Sequence, residues 1–269
     1  MPERVHFYCD RNNPTHYFDF ERVDGSAALA DSYALRFQVY CRERGFLPEA
    51  AYPDERESDA YDARASHFGG FYRDGSFAGT VRLVHGTLDT LPLQSKCVVD
   101  PATLPADIAV ARVAEISRLA VSKAFRRRVT DGILPGLEDG AERQAAHPQR
   151  RRNCPELVLG LYKILYHETK RQRIDYWFAA MESPLAKLLN RFHFEFRPIG
   201  PEIDYYGPVR PYLLDIAECE QAVHARCPGT FARFVEGLPR HLQPGWFAPP
   251  SAGAAPMGSE SGRSVERGW

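Results

Sequence analysis

Residues 115–121 read EISRLAV. Ile116, Leu119, Ala120 and Val121 give this run the character of a central β-strand, yet Glu115 and Arg118 sit among residues that favour burial. A charge in such a strand must be paired or must face a cleft, because burying it alone costs several kcal/mol. One reading is a structural ion pair in which Glu115 and Arg118 hold neighbouring elements together. The other is a polar strand face that lines a site. In a regular strand Glu115 and Ser117 share a face and Arg118 points the other way, an alternation that a bulge would change.

The flanking segments supply a sheet for this strand. Residues 66–73 and 76–86, SHFGGFYR and SFAGTVRLVHG, are strand-like and separated by Asp74-Gly75, a hairpin signal. Before them, residues 25–46 repeat apolar positions in a helical pattern that ends near Gly45, and the acidic, Pro-bearing residues 47–66 read as a long loop. After the strand comes a basic Gly/Pro-containing insertion, residues 123–154. Next is a helix opening at Pro155, with Leu157, Leu161, Ile164 and Leu165 on one face. IDYWFAAM (174–181) reads as a buried strand, SPLAKLLNRFHF (183–194) as a helix capped by Ser183, PYLLDI (211–216) as a strand and AECEQAVHARC (217–227) as a final helix. The expectation is an α+β fold, a mixed central sheet with helices on both faces, in one domain over residues 1–248. A disordered Gly/Ser/Pro-rich tail is expected over 249–269.

The totals narrow the function. Of 269 residues, 44% are apolar and 26% charged, with a formal net charge of −1, so no global field draws the chain to nucleic acid or an anionic membrane. The six cysteines show no CxxC pair and no Cys/His cluster at metal-binding spacing, so free thiols and no metal site are expected. There is no secretory h-region and no run long enough to span a bilayer. The expected location is the cytoplasm, with peripheral contact at the inner membrane left open. The chain has no GxxxxGK[ST] loop, no GxGxxG after a strand, no HExxH and no GxSxG elbow.

Four charged motifs precede or include the strand: Arg36-Phe37 on the first helix, Asp59-Ala60-Tyr61-Asp62 in the loop, Gly79-Thr80-Val81-Arg82-Leu83 in the hairpin, and Glu115-Ile116-Ser117-Arg118. In order and spacing they resemble the signature of the acyl-homoserine-lactone synthase branch of the GNAT-like acyltransferases. The EISRLAVSKAFRRR run and the IGPEIDYYGPVRPYLLDI ending look most like the PEP-CTERM/exosortase-associated acyltransferases and the related N-acyl amino acid synthases. The resemblance implies a GNAT-like fold and transfer of a fatty acyl group from a thioester to an amine. It covers the first half of the chain strongly and the second half through its helix-strand-helix order. The chain departs from acyl-CoA-dependent GNAT enzymes after Val121, where SKAFRRRVTDGILPG lacks the Arg/Gln-x-x-Gly-x-Gly/Ala spacing that holds the CoA pyrophosphate.

Two basic clusters follow the strand, Arg126, Arg127 and Arg128, then Arg150, Arg151 and Arg152. They are either solvated loop charge or a docking rim for an acidic acyl carrier protein. With the resemblance, the rim favours an acyl-carrier-protein phosphopantetheine thioester as donor over acyl-CoA, and no permanently bound cofactor is expected. Glu115 is the candidate base toward the incoming ammonium, with Ser117 and Arg118 beside it. Arg82 and Arg118 order that carboxylate, grip an acceptor carboxylate bidentately, or serve only the ion-pair network of the sheet. Asp59 and Asp62 bind the acceptor ammonium or lock Arg36 and Arg82 in place. Phe37, Leu83, Leu119, Leu161 and Leu165 are tunnel candidates or plain core, and His67 a proton shuttle or a structural residue. The expected function is N-acyl transfer to an amino acid or similar small amine. Acyl-homoserine-lactone synthesis and a non-catalytic acyl-carrier or lipid-binding partner stand as alternatives.

Overall fold

The computed structural model describes residues 4–6, 18–126, 154–205 and 207–248. The elements are β1 (Arg4–His6), β2 (Phe18–Arg22), α1 (Ala28–Phe37), β3 (Ala65–Tyr72), β4 (Phe77–Gly86), β5 (Val113–Val121), α2 (Cys154–Gln172), β6 (Tyr176–Met181), α3 (Ser183–Arg191), β7 (Arg197–Pro198), β8 (Ile203–Asp204), β9 (Pro208–Asp215), α4 (Ile216–Arg226) and α5 (Pro228–Val235). The strands form one mixed sheet in the order β1-β2-β3-β4-β5-β6-β9-β7, and β8 adds to β9.

The hairpin β3–β4 forms where the sequence places it, with Gly75 at φ +82 in its turn, a conformation that a Cβ would strain. β4 and β5 pair antiparallel, but Thr80 faces Ala120 while Arg82 faces Ser117. Val81 therefore stands opposite two residues, Arg118 and Leu119, which makes a bulge. Arg118 takes φ +51 there, a left-handed value that costs a non-glycine residue about 1–3 kcal/mol unless its surroundings hold it.

β5 and β6 are the one parallel pair among the described residues. Their register covers only three pairs, Val113 with Tyr176, Ala114 with Trp177 and Glu115 with Phe178. Both strands continue, to Val121 and Met181, without pairing each other again, so the sheet opens into a V-shaped gap beyond Glu115. A sheet interrupted in mid-layer leaves backbone groups that need other partners. Ser122 donates its N–H to the Ala78 carbonyl of β4, so strand alternation turns the Val121 N–H toward the gap.

Helices cover both faces. On one, the Ser32 hydroxyl of α1 meets the Thr80 hydroxyl at 2.6 Å, so Thr80 and Arg82 point toward α1. On the other, α2 lays Leu157, Leu161 and Leu165, all fully buried, against β2–β4. Around them Trp177, Tyr162, Phe194, Phe231 and Phe234 complete the larger core. A smaller cluster under the first face joins Leu91, Leu93, Val113, Phe178, Ile199 and Leu213.

Several elements differ from expectation. β1 and β2 extend the sheet before α1. β2 is too short and too polar, FDFER, for periodicity to reveal it. α1 passes into a π-helical turn, Gln38–Glu43, before the chain reverses at Gly45, φ +62. The cap position of α3 is Glu182, whose backbone is extended, and Ser183 is already helical with Pro184 behind it. β7, β8 and α5 were not anticipated. Most of the basic insertion, residues 127–153, and the tail, 249–269, lie outside the described residues. Cys41, Cys97, Cys219 and Cys227 are free thiols, and no helix of the described residues is long and apolar enough to cross a membrane.

Candidate active site

Local chemistry brings the charged motifs to one side of the sheet. Asp59 and Asp62 bracket the 3₁₀ turn Ala60–Arg64 as a capping box. Asp59 accepts the Tyr61 N–H at 2.9 Å, and Asp62 accepts the Asp59 N–H at 2.7 Å. This fixes both carboxylates over β4. Arg36 lies one turn beyond Ser32 on α1 and so faces the same strand.

The result is a buried network of three guanidiniums and three carboxylates. Arg36 donates Nε to Glu57 at 2.6 Å and both Nη groups to Asp62, at 2.8 and 3.1 Å. Arg82 donates Nη1 to Asp59 at 2.6 Å and to Asp62 at 2.7 Å, and Nε to the Ser117 hydroxyl at 3.1 Å. Arg118, turned inward by the bulge, donates to Glu57 and Asp59 at 3.0 Å each and stacks on the Tyr40 ring. Each buried charge is thus opposed by more than one partner, the condition under which burial is tolerated. His67 joins through Asp62 at 2.9 Å and Asp24 at 2.7 Å. Burial opposes its imidazolium, but the two carboxylates outweigh that and raise its pKa. Burial likewise works against the Asp62 carboxylate, yet His67, Arg36 and Arg82 hold it far below the usual range.

Glu115 stands apart from this network. Its Oε2 accepts the Leu93 N–H at 2.8 Å, and among the described residues no cation lies within ion-pair distance of it. Burial pushes its pKa up to about 8, with the Leu93 bond and the more distant Arg82 and Arg118 only partly offsetting the desolvation. The structural pairing of Glu115 with Arg118 is therefore not what the fold contains, since Arg118 is committed to Glu57 and Asp59.

A cleft of about 260 Å³ occupies the gap between β5 and β6. Its half toward α1 is polar, with Asp59, Tyr61, Arg82, Glu115, Ser117 and Arg118. Its half toward α2 is apolar, with Leu119, Val158, Tyr162, Met181, Leu185 and Leu188. Of the residues singled out in the sequence, Glu115, Ser117, Arg118, Asp59 and Arg82 line this cleft, and Arg36 and Asp62 stand behind them. Phe37 does not line it. It packs on Tyr52 and under Arg42. Leu83, Leu161 and Leu165 are fully buried core rather than tunnel wall, and only Leu119 of the tunnel candidates reaches the cleft. Arg127, Arg128, Arg150, Arg151 and Arg152 lie outside the described residues, and Arg126 ends the helical turn Lys123–Arg126 after β5.

Sequence reasoning missed Glu57, fully buried in a run of charges, and Tyr40, whose hydroxyl caps the Leu119 carbonyl at 3.1 Å. It also missed Arg44 and Glu182, paired at 3.2 Å at the rim. Position within a recognised motif was the only signal available, and these four fall outside the motifs.

With this geometry the chain resembles known acyltransferases. Residues 35–134 match the acetyltransferase (GNAT) domain. Among solved structures, TofI in a ternary complex with an inhibitor and MTA superposes with a TM-score of 0.50 at 16% identity, covering 74% of this chain and 89% of that one. FeeM, an N-acyl amino acid synthase from uncultured soil microbes, gives 0.48 at 14% identity over 82% of this chain and 96% of its own. BjaI, a CoA-dependent acyl-homoserine lactone synthase with SAM and isopentyl-CoA, gives 0.49 at 18%, with 74% and 81% covered. No curated protein sequence matches the chain. The fold is the GNAT fold, its mixed sheet opened between β5 and β6.

Proposed function

We propose that this GNAT fold carries an N-acyltransferase that moves a fatty acyl group from an acyl-carrier thioester to the amine of an amino acid or similar small acceptor. The observation that carries the reading is the single cleft whose polar half holds a desolvated carboxylate, Glu115, and whose other half is apolar. The acyl chain lies along Leu119, Tyr162 and Leu185, and the acceptor amine enters from the side of Asp59 and Tyr61. The thioester carbonyl sits in the strand gap near the Val121 N–H, a backbone donor suited to a developing oxyanion.

In the reaction Glu115 takes a proton from the acceptor ammonium, directly or through water. A carboxylate pushed up to about 8 is matched to that task near neutral pH. The neutral amine nitrogen forms its bond to the acyl carbon, the carbon–sulfur bond breaks, and the second proton of that nitrogen passes to the departing thiolate, while Glu115 releases the first to solvent. Ser117, bonded to Arg82, and Arg118 hold the strand and its bulge in shape beside the reacting atoms. Because Arg82 and Arg118 each already face two of the carboxylates Glu57, Asp59 and Asp62, their role is to fix the site rather than to grip an acceptor carboxylate.

The basic clusters Arg126–128 and Arg150–152 in the sequence support a carrier-protein donor, since clustered arginines attract an acidic carrier. The likeness to exosortase-associated acyltransferases rests on the sequence motifs. A thiol-release assay with carrier and CoA thioesters against a panel of amines, read with mass spectrometry of the product, tests the reading. An open N-acyl amino acid supports it, a lactone from adenosylmethionine supports the acyl-homoserine-lactone alternative, and binding without thiol release for any amine leaves the non-catalytic alternative.

A further inference from the structure

We propose that Arg44 is the anion-recognising residue of the cleft, held in reserve by Glu182 and exchanged onto the carboxylate of an amino-acid acceptor. This deepens the acyl-transfer reading and rests on it. The starting point is an imbalance among the arginines that line the cleft. Arg82 and Arg118 each face two carboxylates and are almost wholly buried. Among the described residues Arg44 has one counter-charge, a single contact from Nη2 to Glu182 Oε2 at 3.2 Å, and its side chain is 25% exposed against 22% for Glu182. A part-exposed pair with one contact is held weakly and opens readily.

Position gives the pair its meaning. Arg44 follows the π-helical turn after α1, and Glu182 follows β6, so their contact bridges the two sides of the cleft at its rim. The Arg44 guanidinium lies over the Phe46 ring at 5.4 Å, a cation–π contact. Glu182 occupies the cap position of α3 but makes no side-chain cap bond, and its side chain turns to Arg44 instead. A zwitterion entering the polar half meets a ready-made pair of opposite charges. Its carboxylate displaces Glu182 from the guanidinium fork, which accepts a carboxylate bidentately. The freed Glu182 faces the ligand's cationic end. A thioester donor brings its own anion, the phosphate of its pantetheine arm. The polar half is where the acceptor enters, so the carboxylate is the anion assigned to Arg44.

Calorimetric titration of the full chain with N-dodecanoylglycine and N-dodecanoylglycinamide, which differ only in a terminal carboxylate against a neutral carboxamide, tests this without requiring turnover. Wild type should bind the acid about tenfold more tightly than the amide, the scale of one charge-assisted contact. Arg44→Gln should erase the difference, and Glu182→Gln, lacking the internal competitor, should tighten the acid several-fold while leaving the amide unchanged. Equal affinity of wild type for the two probes, or a difference that survives in Arg44→Gln, overturns the assignment and leaves acyl transfer standing. Loss of 4′-phosphopantetheine binding in Arg44→Gln, with acid-over-amide discrimination intact, gives the anion to the donor and also overturns it. If wild type binds neither probe, the acyl-transfer reading falls together with this one.

Discussion

The Arg118 guanidinium lies against the Glu57 carboxylate, with Nη2 3.0 Å and Nε 3.1 Å from Oε1, although sequence separates them by 61 positions. The same carboxylate receives Arg36 Nε at 2.6 Å. Glu57 thus compensates two buried cations from two elements and holds the left-handed bulge of β5 in place. Glu57→Gln removes that charge and leaves both guanidiniums short of a partner. It should cost about 3–5 kcal/mol, the scale for breaking a buried pair from one side, in urea denaturation. A loss below about 1 kcal/mol would show that Asp59 and Asp62 suffice.

The limits of sequence reading are visible at this residue. Glu57 lies in DERESD, where every neighbour but one is charged, and nothing local distinguishes the buried member. The strand 115–121, the hairpin around Gly75 and the apolar face of α2 were legible because turn chemistry and periodicity are local. The opening between β5 and β6, the bulge at Arg118 and the short strand β2 depend on register between distant segments. Face assignment shows the cost. Regular alternation sends Arg118 away from Glu115 and Ser117, whereas the bulge returns it to the same cleft.

Glu115→Gln should separate stability from activity. The ordinary pKa of 4.5 rises to about 8 in the fold, so between those values the native chain keeps a proton that the unfolded chain has lost. Stability therefore falls as pH rises through that window, by on the order of 1.4 kcal/mol per pH unit at its steepest. The Gln variant keeps an acceptor for the Leu93 N–H and lacks the slope. Melting temperatures of the two should coincide near pH 4, with the variant higher above pH 8. In the acyl-transfer assay wild-type rates should rise through an inflection near pH 8 to a plateau above it, and the variant should lose that inflection with most of its rate. Equal pH dependence of stability in the two proteins would show that Glu115 is ionised without penalty.

Leu185 offers a test of the apolar half, because it lines the cleft while only partly buried, so that enlargement spares the core. Leu185→Trp should shorten the accepted acyl chain. Each methylene that no longer fits forfeits about 0.8 kcal/mol, so the KM for the longest accepted thioester should rise about tenfold or more when two methylenes are excluded. A thioester series differing by two carbons reads this directly. A chain-length profile identical to wild type would place the acyl chain elsewhere.

Gly160 tests the packing that carries α2 onto the sheet. A Cβ built there falls 2.0 Å from Cζ of Phe20, a distance at which one of the two must move. Phe20 is itself fully buried between β2 and α2, so the ring has little room to retreat. In an exposed helix Gly→Ala stabilises by about 1 kcal/mol, but here overpacking opposes it at about 1–3 kcal/mol. Gly160→Ala should therefore be destabilising in urea denaturation, with part of the loss recovered on adding Phe20→Leu, which withdraws the colliding edge. Additive effects of the two changes would mean that the helix and the ring are not in competition for this space. Recovery in the double variant would show that the missing side chain in mid-helix is what lets α2 approach β2 closely enough to complete the core beneath the cleft.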